Sequence, residues 1–210
     1  MDKFEKMSGY LQKGNMKEVV RISNELIEEG AQASEILGAL LGGMGIIGEK
    51  FKNNEVFVPE VLIAARAMNG GLSVIRPLLE QQGVESMGKV VIGTVKGDLH
   101  DIGKNLVSMM MVGAGFDVID LGVDVPTEKY IQAITENKAD ILCMSALLTT
   151  TMPMMKTVIE AIEEKGLRNS VKIMIGGAPV TESYAKEIGA DLYTADASTA
   201  ATEAKKLVSA

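Results

Sequence analysis

The chain has one histidine, one cysteine and no long apolar run, and each scarcity excludes something. Among 210 residues Cys143 has no second cysteine to pair with, so no internal disulfide forms. It lies in the apolar stretch "DILCMS", which reads as a buried, inert thiol and suits a reducing, cytoplasmic compartment. His100 alone cannot build the usual zinc or iron site, which takes several side-chain ligands. Basic blocks are missing as well. A formal charge of -7 argues against nucleic acid, whose phosphates favour basic surfaces. The amino-terminal "MDKFEKMSGY" is charged and has no apolar core, unlike a signal peptide. No uninterrupted apolar run reaches the roughly 18 residues of a membrane helix. "ILGALLGGMGIIG" comes nearest, and its glycines point to a buried helix. The expectation is a cytoplasmic protein with neither nucleic acid nor membrane as partner.

What is present is ordinary in bulk, 47% hydrophobic and 23% charged, but it changes character along the chain. Residues 1–87 read as a bundle of about four helices. Met16, Val19, Val20, Ile22, Leu26 and Ile27 recur at helical spacing before Gly30; Ile36, Leu37, Leu40, Leu41, Met44, Ile47 and Phe51 form a second stripe. Pro59 opens a third long helix, and a short one covers residues 3–12. Gly42, Gly43, Gly45 and Gly48 suit close helix packing, the safer reading, or contact with a flat ligand. "EQQGVESMGK" (80–89) reads as a linker. Over 88–210 short apolar runs alternate with helical stretches: 89–95, 116–122, 140–146, 171–177 and 190–195 as strands, and about 103–114, 126–137, 152–166, 181–188 and 196–208 as helices. That alternation implies a doubly wound, Rossmann- or flavodoxin-like α/β domain with a parallel five-stranded sheet, whose ligands bind at the strands' carboxyl ends.

His100 falls at such an end, in "GTVKGDLHDIGKNLV". A plain loop histidine is the ordinary reading of a lone His. Asp98, two residues upstream, can accept one ring N–H and orient the imidazole as carboxylates do for metal-bound histidines. A metal held inside a macrocycle needs only one axial ligand from the protein, which this chain can supply.

"GDLHDIGKNL", followed in order by "SALLTT" and "GG" at later strand ends, resembles the Asp-x-His-x-x-Gly signature of cobalamin-binding domains. The resemblance implies a corrinoid bound base-off/His-on, with His100 as the lower axial ligand of cobalt and Asp98 as its hydrogen-bond partner. Thr151 stands where the family's His–Asp–Ser relay has serine, so Asp98 and Thr151 would relay protons to the axial ligand. Gly97, Leu99, Asp101 and Ile102 share the motif, and Gly103 would open the slot for the nucleotide tail. Ser145, Leu147 and Thr149 would line that slot, Gly176 and Gly177 would permit close backbone approach, and Ala197 in "YTADAST" matches the last tail contact. Asp98 could instead merely cap the loop, a role open to Asn.

"GEKFKNNEVFVPEVLIAARAM" (48–68) is similar to the cap bundle that precedes this domain in methionine synthase and in methyltransferase corrinoid proteins. Phe51 and Val58 would then cover the upper face of cobalt; without the downstream motif both read as bundle core. The whole pattern resembles the free-standing corrinoid proteins of methanogens and acetogens. It implies a methyl carrier cycling between cob(I)alamin and methylcob(III)alamin, incomplete as a catalyst by itself. Its partners would be a substrate:corrinoid methyltransferase, a corrinoid:tetrahydrofolate or corrinoid:thiol methyltransferase (the thiol being one such as coenzyme M), and a reductive activase. A methylated or quaternary amine is the expected donor, with methanol or a methoxyaromatic as the alternative. A cobalamin-dependent sensor or mutase subunit is the alternative class; the acidic charge and the helical half speak against both. "KGDLHD" is too acidic for an FMN phosphate loop. The 14 methionines read as irregular core filling.

Overall fold

A computed structural model of the chain describes residues 2–84 and 86–209. Glu85, within the predicted linker, and the terminal Met1 and Ala210 lie outside the described residues. The chain divides into two compact units: one extends to Ser86 and includes Gly113–Gly115, the other comprises Met87–Val112 and the chain from Phe116 on.

The first unit is the expected bundle: α1 Lys3–Gln12, α2 Met16–Glu28, α3 Ala33–Lys52 and α4 Val58–Gln81. Asn15 caps α2 by accepting the Glu18 N–H at 3.2 Å. Gly30, at φ +85°, ends it by turning the chain so that Ala31 N–H reaches the Leu26 carbonyl at 2.9 Å. Glu35 and Glu60 reach back to the backbone N–H groups of Gln32 and Phe57, both at 3.0 Å, and secure the starts of α3 and α4. Helix α1 packs on α2 and α3, and α4 on the same two. Leu11, Ile22, Leu40, Met44 and Ile75 are buried between them, each worth about 1.5–3 kcal/mol withdrawn from water.

Three expectations change here. A Cβ on Gly43 would lie 3.0 Å from Ser8 Oγ and 3.3 Å from Leu11, so helix packing explains that glycine. Gly42 and Gly45 face open space, so packing does not explain them. Helix α4 is long and apolar enough, by length and composition, to cross a membrane. Arg66 and Arg76 interrupt its apolar residues, so it holds no unbroken apolar run. Its buried stripe of Val61, Ala65, Met68 and Ile75 accounts for that composition in a bundle helix. The linker is also shorter than 80–89, since α4 keeps residues 80 and 81 and Lys89 begins the first strand.

The second unit alternates β1 Lys89–Thr94, α5 Ile102–Gly113, β2 Asp117–Asp120, α6 Thr127–Asn137, β3 Ile141–Ser145, α7 Pro153–Glu164, β4 Lys172–Gly176, α8 Glu182–Ile188, β5 Leu192–Tyr193 and α9 Ala197–Ser209. All pairings are parallel, in the order β2-β1-β3-β4-β5. Val91, Leu142 and Ile173 stand side by side in register and share one buried cluster with Tyr130 and Ile134 of α6 and Met155, Val158 and Ile162 of α7. Strand order reverses between β1 and β3. The loops leaving those two strands therefore diverge and open a crevice at their carboxyl ends.

Candidate functional site

Two loops meet at that crevice, one from β1 to α5 and one from β3 to α7, and Asp98 joins them. Gly97, at φ +84°, gives the first loop a turn that a side chain would resist. The Asp98 side chain behind it is fully buried. Its Oδ1 accepts the His100 backbone N–H at 3.1 Å and lies 2.7 Å from His100 Nδ1. Its Oδ2 accepts the N–H groups of Leu147 at 2.8 Å and Leu148 at 3.2 Å, and the Thr151 hydroxyl at 2.7 Å.

Burial alone would push this carboxyl up. The Thr151 hydroxyl, the His100 ring and the N–H groups of Leu147 and His100 outweigh burial and hold Asp98 well below the usual carboxylate range. An ionised Asp98 only accepts, so Nδ1 carries the proton of the 2.7 Å contact and Nε2 of the neutral ring keeps its lone pair. Nε2 has no hydrogen-bond partner among the described residues, and the side chain is 51% exposed. The imidazole is held at one nitrogen and offered at the other.

Apolar side chains surround the offered nitrogen's loops: Leu99 is 72% and Ile102 75% exposed, and Leu147 and Leu148 are also exposed. Asp101 is exposed and accepts Asn105 Nδ2 at 3.0 Å. A Cβ on Gly103 would meet nothing within 4 Å. Ser145, half-buried, ends β3, and Thr149 is exposed in the loop beyond it. On Gly177, at φ +132°, a Cβ would fall 1.9 Å from the Ala146 carbonyl oxygen; on Gly176 it would lie 3.4 Å from that of Thr194. Ala197 is buried at the start of α9. Of these residues, His100, Leu147 and Thr151 bond Asp98 directly. Phe51 and Val58 lie in the first unit, half-buried on either side of the 53–57 turn, where Phe57 is 64% exposed.

Sequence reasoning missed three contributors. Thr94, fully buried at the end of β1, donates its hydroxyl to the His100 carbonyl at 2.9 Å. Leu148 supplies the N–H on Asp98 already described. Lys104, a buried lysine in α5, bonds Asp120 at 2.5 Å and Asn105 Oδ1 at 2.7 Å. The alternation marked the Thr94 position as a strand end, but no pattern distinguishes a buried lysine from its exposed neighbours.

Among the described residues no group of three or more His, Cys, Asp or Glu could hold a bare metal ion. The profile of the B12-binding domain matches residues 88–204, and a second B12-binding profile matches residues 3–76. The chain belongs to the B12-binding family. This B12-binding protein is 44% identical over 186 residues to dimethylamine corrinoid protein 1 of Methanosarcina acetivorans, a match covering 88% of this chain and 83% of that one. It is 43% identical over 187 residues to the trimethylamine corrinoid protein of Methanosarcina barkeri, covering 88% and 86%. Among solved structures, a chain of the methanol:cobalamin methyltransferase complex MtaBC from Methanosarcina barkeri superposes with TM-score 0.89 at 29% identity, over 99% of this chain and 80% of that one. The site of this B12-binding protein fits such a group: one free imidazole nitrogen, exposed apolar side chains beside it, and open space at Gly103.

Proposed function

We propose that this B12-binding protein is a corrinoid methyl carrier of a methylamine-using methyltransferase system, with His100 as the lower axial ligand in the base-off/His-on state. The observation that carries the reading is the unpaired Nε2 of His100 on a ring whose Nδ1 is held by buried, ionised Asp98. A cobalt corrinoid, when bound, supplies a low-valent metal that takes up a methyl group and passes it on. The chain's own residues do the rest. Asp98 orients the ring and, with Thr151 behind it, stabilises a proton on the imidazole when Nε2 is released. Leu99, Ile102 and Leu147 give apolar contact, and Gly97 and Asp101 shape the loop. Gly103 would leave the slot open, Ser145 and Thr149 would hydrogen-bond the nucleotide tail, and Gly176 and Ala197 would border it, while Gly177 admits the Ala146 backbone beside them. In this proposal residues 1–87 are a helical cap domain and 88–210 the cofactor domain.

The methylamine assignment draws on the names of the dimethylamine and trimethylamine relatives. Methanol is the second reading, favoured by the likeness to the MtaBC complex. In either case the partners are a substrate:corrinoid methyltransferase, a second methyltransferase to tetrahydrofolate or a thiol, and a reductive activase. Two measurements test the proposal. Reconstituted protein should show an imidazole nitrogen on Co(II) by electron paramagnetic resonance, and His100→Ala should lose it; unchanged splitting in the variant sinks the ligation. Purified dimethylamine, trimethylamine and methanol methyltransferases should then be compared for methylation of the reduced protein, and transfer by the methanol enzyme alone would reverse the choice of donor.

A further inference from the structure

The turn that presents His100 is held from outside its own loop. Asp124 lies between β2 and α6, and its Oδ1 accepts the Gly97 N–H at 2.7 Å. Its own N–H donates to the Asp98 carbonyl at 3.0 Å. The next residue continues the attachment: Val125 N–H donates to the Thr94 carbonyl at 3.0 Å, and Val125 forms a parallel bridge with Val95. Asp124 thus brackets Asp98, bonding the residue before it through the side chain and Asp98 itself through the backbone.

Two features mark this as more than a loop contact. Asp124 has φ +52°, in the left-handed region, one of three non-glycine residues there among those described. Such backbone costs energy and persists where the surroundings over-determine it; Asp and Asn tolerate it best. Its exposed carboxylate, two residues before the Pro126 N-cap of α6, is also committed across the fold, accepting the N–H of Gly97, 27 positions back in the chain. A carboxylate on a backbone N–H makes a charge-assisted bond, about twice as strong as a neutral one.

We propose that Asp124 is a positioning residue for His100: it fixes the Gly97–Asp98 turn so that Asp98 meets Nδ1 and Nε2 is left as the free nitrogen. With Asp124 shortened, Gly97 regains its freedom, the Asp98–His100 contact loosens, and the ring samples the other tautomer. The inference rests on the proposed role of His100, but its test does not need the cofactor. The single histidine gives one set of imidazole signals, so 15N-histidine NMR of the corrinoid-free protein, at a pH where the ring is neutral, reads the tautomer of His100 directly.

The parent should be almost wholly Nδ1–H. Asp124→Gly, which accepts the left-handed backbone but lacks the acceptor, should shift the tautomer ratio toward Nε2–H by about threefold to tenfold, the scale of one ordinary net hydrogen bond. Asp124→Asn keeps both the acceptor and the backbone tolerance and should hold the parental ratio. If the glycine variant does not fold, Asp124→Ser takes its place in the same comparison. A parental ratio in the glycine or serine variant, or an equal shift in Asp124→Asn, overturns the inference. In the cobalt-loaded protein the glycine or serine variant should lower the fraction of Co(II) showing imidazole splitting by a similar factor, and Asp124→Asn should not. If the parent itself shows no such splitting, axial ligation by His100 fails, while the tautomer ratios still decide for or against Asp124.

Discussion

His100 Nδ1 lies 2.7 Å from Oδ1 of Asp98, yet the histidine side chain is half exposed while the carboxylate has no exposed surface. The exposed partner keeps one nitrogen open, and the buried one is bound by groups from both crevice loops. Moving Asp98 along with the ring would break its bonds to Leu147, Leu148 and Thr151 as well. A buried anion with this many donors is a rigid support for an imidazole that is itself free at one nitrogen.

That arrangement has a consequence for acid stability. Asp98 titrates in the fold well below the ordinary value of about 3.9. Its contribution is therefore fully present above that value, and it is lost as pH falls through the range between the unfolded and folded values. Asp98→Asn should destabilise the corrinoid-free protein by about 3 kcal/mol at neutral pH, since an amide cannot satisfy the same set of donors. Its stability should also fall less steeply than the parent's below about pH 4. Urea unfolding at a series of pH values measures both, and parallel curves for the two proteins would remove Asp98 as the acid-sensitive group.

Thr151 gives a cleaner separation of hydroxyl from shape. Its single proton has two acceptors in reach, Asp98 Oδ2 at 2.7 Å and the Leu148 carbonyl at 2.9 Å, and the carboxylate is the stronger. Thr151→Val should cost about 1–3 kcal/mol by leaving Asp98 one donor short, whereas Thr151→Ser should cost under about 1 kcal/mol. Thermal unfolding of the two variants decides it: equal losses would assign the effect to packing and not to the hydroxyl.

The alternating pattern made the order and type of every element in the second unit legible, because buried parallel strands are short apolar runs and their helices carry a 3.6-residue stripe. The motif made Asp98 and His100 legible as neighbours, and the observed contact follows from a spacing of two residues across a tight turn. Thr94, Lys104 and Asp124 were not legible. The bonds of Lys104 and Asp124 run to Asp120 and Gly97, between segments that only the sheet order brings together, and the bond of Thr94 to the His100 carbonyl depends on the path of the loop between them. Gly42 and Gly45 show the same limit from the other side, since a glycine in a helix looks alike in sequence whether a neighbour or open space lies beside it. Residues 190–195 read as a full strand, but only Leu192–Tyr193 pair at the sheet edge.

Two glycines of the site should respond in opposite ways to one methyl group. Gly103 meets nothing within 4 Å and lies in the first turn of α5, so Gly103→Ala should leave the corrinoid-free protein as stable as the parent or up to about 1 kcal/mol more stable. Under the proposed function it should weaken corrinoid binding, because the methyl projects into the slot mouth. Gly177→Ala should fail to fold or lose more than about 3 kcal/mol, because φ +132° is unfavourable for alanine and its Cβ would fall 1.9 Å from the Ala146 oxygen. Denaturant titration and corrinoid titration of both variants check the contrast, and tight corrinoid binding by Gly103→Ala would place the slot elsewhere.

The last expectation concerns Tyr130, fully buried in the core cluster on α6. Among the described residues its hydroxyl is the buried side-chain group with no hydrogen-bond partner. Burial, reinforced by the charge of Asp120, pushes the phenol far above its ordinary range. An unsatisfied buried hydroxyl costs about 1–3 kcal/mol, and removing it leaves a gap of only one oxygen. Tyr130→Phe should therefore be neutral or stabilising by about 1 kcal/mol. The same oxygen lies 2.8 Å from where a Cβ on Gly93 would stand, with ring carbons at 3.0 and 3.1 Å. Gly93→Ala should thus destabilise β1 against α6, and Tyr130→Phe should recover part of that loss by removing the nearest clashing atom. A double-mutant cycle by urea unfolding measures the coupling, expected at about 0.5–1 kcal/mol in the rescuing direction. A loss above about 1 kcal/mol in Tyr130→Phe alone would mean that the hydroxyl has a partner, such as a buried water, and that the tyrosine is held there by a bond.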